Sequence, residues 1–533
     1  MDKILSYKDY GKASRYDCDV VVVGTGAGGA VVGAELAEAG LDVILVEEGS
    51  WVPTSSFNPY LTESIPRLYR DAGTTSVLGT PNIPYLEGRA VGGSTTINGG
   101  MAYRAPERVL EEWQRLTGEP GLGPAGMDAL FGEVERRISA RHQEPESIGD
   151  DNRLMALGAK KLGWHSETNR RNQDACVGTN NCVFGCPTGA KQSTLVTYMP
   201  RAMAAGARCL TELRVESLRV DGGRCTGVVG RSPDPATRRY GRQVTISARA
   251  VVVACGAIHT PHLLMGHRLG KTSRQLGKHL LLHPNAKVIA VYPFDVFAWK
   301  GVSQWTQVRE FHRDGVLFAE NMIPPSPMGA SLPWHGDESL RMLERYNQMA
   351  CTGVLVEDST SGSVERTILG MPLARYDITD WDFERFLTGI ERLSELHFAM
   401  GAEMVLLPFR AAPRAFGARA RSADDLHLAR SMDEVRGVLR GGLKKQQIEL
   451  FTVHLMGTAR MGARPAASVV DLEGQLWDLP GCYVADASIF PTAIGVNPQV
   501  TIMALATRIA RRLAERWSRG RARASSREAS PAA

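Results

Sequence analysis

Residues 18–49 read CDVVVVGTGAGGAVVGAELAEAGLDVILVEEG. Four consecutive valines, Val20 to Val23, have the composition of a strand buried on both faces. A glycine turn follows, then a small-residue helical stretch, then a second apolar run, Val43 to Val46, that ends in two carboxylates. This order predicts a complete βαβ unit and an α/β fold. Gly24, Gly26 and Gly29 match the spacing G-x-G-x-x-G. The first glycine permits the tight turn, the second lets backbone approach a pyrophosphate, and the third lets helix and strand pack closely. The pyrophosphate would then sit at the helix N-terminus, where unpaired N–H groups and the dipole favour an anion. Glu47, 23 residues after Gly24, is placed to accept from ribose hydroxyls, and a carboxylate there disfavours the 2′-phosphate of NADP. This unit leaves FAD and NAD undecided.

Outward from it, a second apolar run, ARAVVVACGA (248–257), follows a hairpin-like stretch from Arg214 to Ile246. The C-terminal part, GCYVADASIF then NPQVTIMALATRIARRLAE, predicts a strand, a loop and a long final helix. Between them, 286–445 mixes strand-like runs with a proline-rich loop, PPSPMGASLPWHGD (324–337). There is no internal repeat. The expected organisation is a Rossmann-like cofactor domain in two parts, 1–285 and 446–516. A substrate domain with a mixed or antiparallel sheet and helices, 286–445, interrupts it, and residues 517–533 form a disordered basic tail.

At 533 residues and 43% apolar content the chain can bury at least two cores. No run of eighteen apolar residues exists, so a spanning helix is not expected. The net charge of +5 is local: residues 508–533 hold eight Arg and two Glu, leaving −1 for the rest, so nucleic acid is not an expected partner. The N-terminus lacks a secretory pattern, and the nine cysteines are an odd, mostly scattered set. Both point to a reducing, cytoplasmic compartment, with export beside a signal-bearing partner as the alternative.

Residues 88–98, GRAVGGSTTIN, form a backbone-rich surface that suits either a flat ring with its ribityl chain or an ordinary flexible loop. With its continuation, GGMAYRAPERVLE, this stretch resembles the first signature of the glucose–methanol–choline (GMC) oxidoreductase family. GAIHTPHLLMGHRLG (256–270) resembles the second but departs from it at His267 and Arg268. HLMGTARMG (454–462) and ADASIFPTAIGVNPQVT (485–501) resemble the family's C-terminal flavin and active-site segments. The C-terminal half is most similar to long-chain alcohol oxidases, and NGGMA to cholesterol oxidases.

The resemblance implies FAD and oxidation of an alcohol CH–OH. It assigns Gly24, Gly26, Gly29 and Glu47 to the adenosine end and Val215 to a backbone contact with adenine. Gly92, Ser94 and Asn98 would lie along the flavin, with Asp486 at the ribityl–phosphate region. Asn497, Pro498 and Thr501 would open a helix aimed at the flavin. The first signature holds no histidine for covalent attachment, so dissociable FAD is expected. It further implies His454 as catalytic base, suited by histidine's titration range, and Asn497 as the partner that orients the substrate oxygen. His283, in GKHLLLHPN, reads as structural.

The aromatic stretch VYPFDVFAWKGVSQWTQV (291–308) and the proline-rich loop fit an apolar pocket with a lid, or simply a domain core. The resemblance favours a long-chain alcohol or sterol. Finally, CVGTNNCVFGCP places Cys176, Cys182 and Cys186 inside residues 176–187. Three such thiolates could ligate a 3Fe–4S cluster, as in the similar segment of bacterial FAD-dependent glucose dehydrogenases, or form a thiol-lined structural loop. The alternatives to an alcohol oxidase are thus a sugar or polyol dehydrogenase feeding a cytochrome, and a lyase of the hydroxynitrile type on the same fold. Oxygen, a quinone and a cytochrome all stand as acceptors.

Overall fold

The computed structural model describes residues 3–234, 237, 239–332, 334, 336–410 and 427–528. The opening stretch forms strand β1 (Ala13–Val23), helix α1 (Gly29–Glu38) and strand β2 (Val43–Val46). The four valines of β1 are fully or almost fully buried because β1 lies inside an eight-stranded sheet. On its other side runs β3 (Tyr240–Val253), which pairs with β1 in parallel from Gln243 to Val253. The first half of β3 also pairs antiparallel with Arg224–Pro233, which returns to Arg214–Asp221. Its second half pairs instead with β8 (Cys482–Val484), so a strand from the far end of the chain completes the sheet.

Val23, Val46, Val253 and Val484 stand in register. The carboxyl ends of four parallel strands therefore meet along one edge, the edge at which open α/β sheets hold their ligands. Two further helices converge there, α2 (Gly256–Met265) directly after β3 and α5 (Gln499–Glu528) after β8. His267, where the second signature departs, accepts the Leu218 N–H at 2.8 Å and ties the end of α2 to strand 214–221.

A second, seven-stranded sheet is antiparallel throughout. Its centre is β4 (Asn285–Val291), β7 (Met349–Val356), β6 (Val316–Glu320) and β5 (Thr306–Val308), in that spatial order. Ser166–Thr168 joins its edge from well before residue 286. One face packs on helix α4 (Asp380–Ala399) through Phe386, Ile390 and Leu393. The other face looks across to the first sheet.

The segment expected to form a disordered basic tail lies partly within a helix. Helix α5 continues through Glu528, so residues 517–528 are helical, and 529–533 lie outside the described residues. Clustered arginine charge reads as a solvated tail, but alanine and arginine are also strong helix formers and extend a helix already nucleated. No helix among the described residues is long and apolar enough to cross a membrane.

Candidate active site

A cavity of about 1000 Å³ lies between the carboxyl edge of the first sheet and the open face of the second. Gly24, Gly26, Glu47, Ser94, Asn98, Val215, Asp486, Asn497 and Pro498 all line it. Gly29, Gly92 and Thr501 stand behind its wall. Thr501 is fully buried and accepts the Ala105 N–H at 3.1 Å, while Gly92 donates to Thr25 Oγ1 at 3.1 Å. In the Gly92–Gly93 pair it is Gly93 that reaches the cavity, with its added Cβ only 2.9 Å from Gly26 Cα. Two glycine turns distant in sequence thus pack backbone on backbone.

The motif turn is sterically closed on its far side. Gly24 has φ +102°, and a Cβ there would overlap the Ala254 carbonyl; a Cβ on Gly28 would overlap that of Ala485. Gly26, by contrast, faces open space, with nothing nearer than 4.0 Å. The N-terminal ends of α1, α2 and α5 reach the cavity through Gly28, Gly256 and Gln499, giving a set of inward positive dipole ends. Glu47 accepts from Thr25 N–H and Oγ1 and from Gly49 N–H, and burial raises its pKa. Asp486, also raised by burial, accepts from the N–H groups of Gly256 and Ser488 at 2.9 and 2.8 Å. Asn98 donates to Gln499 Oε1, joining the 92–98 turn to the start of α5. Buried polar atoms without partners collect on residues that line this same space: His454 Nδ1, His283 Nδ1, Gln499 Nε2 and Asn285 Oδ1. Buried polar atoms are rarely left unpaired, so a polar ligand fits here, and the glycine cradle and helix ends suit a dinucleotide.

His454 and Asn497 meet in the wall, with Asn497 Nδ2 3.2 Å from His454 Nε2. An amide nitrogen only donates, so Nε2 accepts and the ring is neutral with its proton on Nδ1. Burial agrees, holding the His454 pKa down to about 4. His283 is not remote structure: its ring centroid lies 5.4 Å from that of His454, and burial pushes its pKa well below the usual histidine value. Asp358 holds that turn by accepting the Leu282 and His283 N–H groups at 3.0 and 2.7 Å.

Opposite the glycine cradle, Leu317, Ala319, Leu355 and Phe451 line the cavity with Asn285, Lys287, Gln304 and Gln307. The proline-rich loop forms helix α3 (Pro325–Ser331), and Pro324, Ser326, Pro327 and Ala330 cover one side. The aromatic residues of 291–308 do not line the cavity. Phe294 and Trp299 are exposed, and Phe297 and Trp299 pack edge to face under Lys300.

The thiols of the cysteine loop have protein partners of their own. Cys182 Sγ accepts from Arg171 at 3.3 Å, whereas Cys186 Sγ accepts the Lys191 N–H at 3.4 Å and contacts Thr188 Oγ1. Among the described residues no three His, Cys, Asp or Glu side chains converge as a metal site requires. The Lys191 ammonium instead reaches through this region to the carbonyls of Cys182, Thr96 and Asn98 at 2.6, 2.8 and 2.8 Å. Arg171 and Lys191 thus lie beside Cys182 and Cys186, Arg171 also acts on Cys176, and Lys191 ties this loop to the 92–98 turn. All nine cysteines are free. Lys191 was not apparent in the sequence, where a lysine beside a cysteine-rich turn reads as surface.

Family models of the GMC oxidoreductases match residues 65–285 and 362–506, and an FAD-binding domain model matches 19–57. An uncharacterized GMC-type oxidoreductase of Mycobacterium tuberculosis is 38% identical over 92% of this chain and 75% of its own. This chain belongs to the GMC oxidoreductase family. As a GMC enzyme it is an FAD-dependent oxidoreductase acting on alcohols. A long-chain-alcohol oxidase of Arabidopsis thaliana is 28% identical, over 94% of this chain and 67% of its own. The crystal structure of a pyridoxine 4-oxidase from Mesorbium loti superposes with a TM-score of 0.68 at 17% identity, covering 93% of this chain and 99% of that one, a likeness of fold.

Proposed function

We propose that this enzyme oxidises the CH–OH group of an alcohol with an apolar body, His454 serving as base and Asn497 as its orienting partner. The observation that carries this reading is the 3.2 Å contact of Asn497 Nδ2 with His454 Nε2 inside the cavity. Neutral Nε2 has the lone pair that a substrate hydroxyl proton needs, and Asn497 can turn its amide N–H to the substrate oxygen as that proton moves. FAD, when bound, supplies the acceptor for the carbon's hydride. Gly24, Gly26, Gly28, Glu47 and Val215 would hold its adenosine and pyrophosphate, and Gly93, Ser94, Asn98, Asp486 and Pro498 its flavin half. Leu317, Leu355, Phe451 and α3 would exclude water from the reacting carbon.

An apolar alcohol body is supported by this wall and by the name of the Arabidopsis relative, which also favours oxygen as the final acceptor. The test is anaerobic mixing of the FAD-loaded enzyme with a series of primary and secondary alcohols. Bleaching of the flavin absorbance is expected. A flavin that stays oxidised while substrate is cleaved would instead identify a lyase and overturn the reading.

A further inference from the structure

The second sheet presents one transverse row of residues to the cavity. Lys287 on β4 pairs in register with Gly353 on β7, Gly353 with Ala319 on β6, and Ala319 with Gln307 on β5. All four line the cavity. Neighbouring strands lie about 4.8 Å apart, so the lysine and the glutamine flank a trough whose floor is two of the smallest residues. Asn285, two residues before Lys287 on the same face, lays its amide across that floor: a Cβ on Gly353 would meet Asn285 Oδ1 and Nδ2 at 2.8 Å. The Nδ2 of that amide, which lies over the floor beside Oδ1, is the atom that can donate to a ligand in the trough.

Lys287 is the unusual member. Its ammonium rests on the face of Phe451, 4.5 Å from the ring centroid, and no carboxylate pairs with it among the described residues. Burial lowers its pKa, and among the described residues the Cys351 thiol is the ionisable group acting on it. A cation set into a wall of Leu317, Leu355 and Phe451 is costly unless it is paired. Nothing in the proposed chemistry at His454 uses it, yet Phe451 lies only three residues before His454, so the cation and the base share one chamber.

We propose that the alcohol oxidised beside His454 carries a carboxylate, which the Lys287 ammonium binds with help from an N–H of the Asn285 Nδ2 group. The substrate class is then hydroxy acids with an apolar spacer, not plain alkanols or sterols. This rests on the reading of His454 as base for alcohol oxidation. The reaction balances as before: the hydroxy acid loses two electrons and two protons and becomes an oxo acid, its carboxylate unchanged.

The test uses the full-length, FAD-loaded enzyme with ω-hydroxycarboxylates, their methyl esters and n-alkanols of matched chain length. The expected wild-type result is a kcat/KM for the acids about tenfold or more above that for the esters, carried mainly by KM. Lys287→Met should collapse that ratio towards one, and Lys287→Arg should retain most of it. Decanoate, which has no hydroxyl, gives a turnover-independent readout: its Kd from flavin fluorescence should rise about tenfold in Lys287→Met. Lys287→Gln replaces the methionine variant if that one fails to hold flavin. Equal use of acid and ester by the wild type, or a ratio and a decanoate Kd unchanged by Lys287→Met, overturns the proposal. Failure of every alcohol to reduce the flavin while decanoate still binds through Lys287 would overturn the catalytic reading alone.

Discussion

Asn497 Nδ2 reaches His454 Nε2 across 3.2 Å, although 43 positions separate them in the chain. The contact depends on two loops meeting: the turn before α5 brings Asn497, and the segment after Phe451, which pairs with Asn285 at the start of β4, brings His454. If His454 accepts the hydroxyl proton, His454→Ala should lower the rate of anaerobic flavin reduction by about 10²–10⁴-fold. Flavin content should stay normal, because the glycine cradle lies elsewhere. Asn497→Ala should cost less, and the double variant less than the product of the two, since the pair acts as one unit. Unchanged flavin reduction in His454→Ala would remove it from the mechanism.

The pH profile carries the same assignment. His454 is a base only when neutral, and burial holds its pKa to about 4. Activity should therefore fall as pH drops through about 4, not through the 6.5 or so of an exposed histidine. Stability follows the same sign. The unfolded chain binds this proton near pH 6.5 and the folded chain only near 4, so stability should decline as pH falls across that window. His283 is depressed in the same direction and adds to the decline. Chemical denaturation at pH 7 and pH 5 should show it, and His454→Gln should make the difference smaller.

The two neighbouring glycines of the motif turn should respond differently to alanine. At Gly28 the added methyl overlaps the Ala485 carbonyl, so Gly28→Ala should disturb the junction of α1 with the end of β8 and lower Tm. At Gly26 the added methyl meets nothing closer than 4.0 Å, so Gly26→Ala should fold with nearly unchanged far-UV circular dichroism. It should nevertheless purify with depleted flavin, because its Cβ takes up space where backbone would approach the pyrophosphate. Flavin per polypeptide and thermal melts separate the two outcomes.

Those contrasts mark what could be read in the chain order. The β1–α1–β2 unit is local: its glycines, valines and Glu47 lie within residues 18–49, so pattern and spacing carry it. Features made by distant strands left no local trace. The row Lys287–Gly353–Ala319–Gln307 exists only because four strands pair in one register. His283 reads as structural until β4 brings its ring beside that of His454. Gly92 and Gly93 are indistinguishable by composition, and only the packing of Gly93 on Gly26 decides which one reaches the cavity. The aromatic residues of 291–308 invited an apolar pocket, but Phe294 and Trp299 point to solvent.

The cysteine loop makes a compositional prediction. Arg171 and Lys191 take up the thiol neighbourhood, so iron and acid-labile sulfide per flavin should be at background in anaerobically purified enzyme. Burial raises the Cys186 thiol, but hydrogen bonds from Thr188 and the Lys191 N–H outweigh it, leaving its pKa below the ordinary thiol value. Cys176 shifts the other way, its burial dominating. Mild iodoacetamide treatment should therefore label Cys186 ahead of Cys176, as read by peptide mass mapping. Stoichiometric iron would show that the loop rearranges in the loaded enzyme.

Lys191 supplies the last test, because its one ammonium satisfies three carbonyls from two segments. Thr96 and Asn98 belong to the turn that lines the cavity, and Cys182 to the cysteine loop, so the lysine acts as a tie between them. Burial brings its pKa down to about 8, so at neutral pH it still carries its proton and all three donors. Methionine fills a similar volume without donors. Lys191→Met should leave those carbonyls unpaired at a cost of about 1–3 kcal/mol for each one that water cannot reach. The damage should concentrate at the cavity: thermal release of flavin should move to lower temperature by more than global unfolding does. Flavin fluorescence and circular dichroism recorded on the same melt distinguish this from simple destabilisation, in which both transitions shift together.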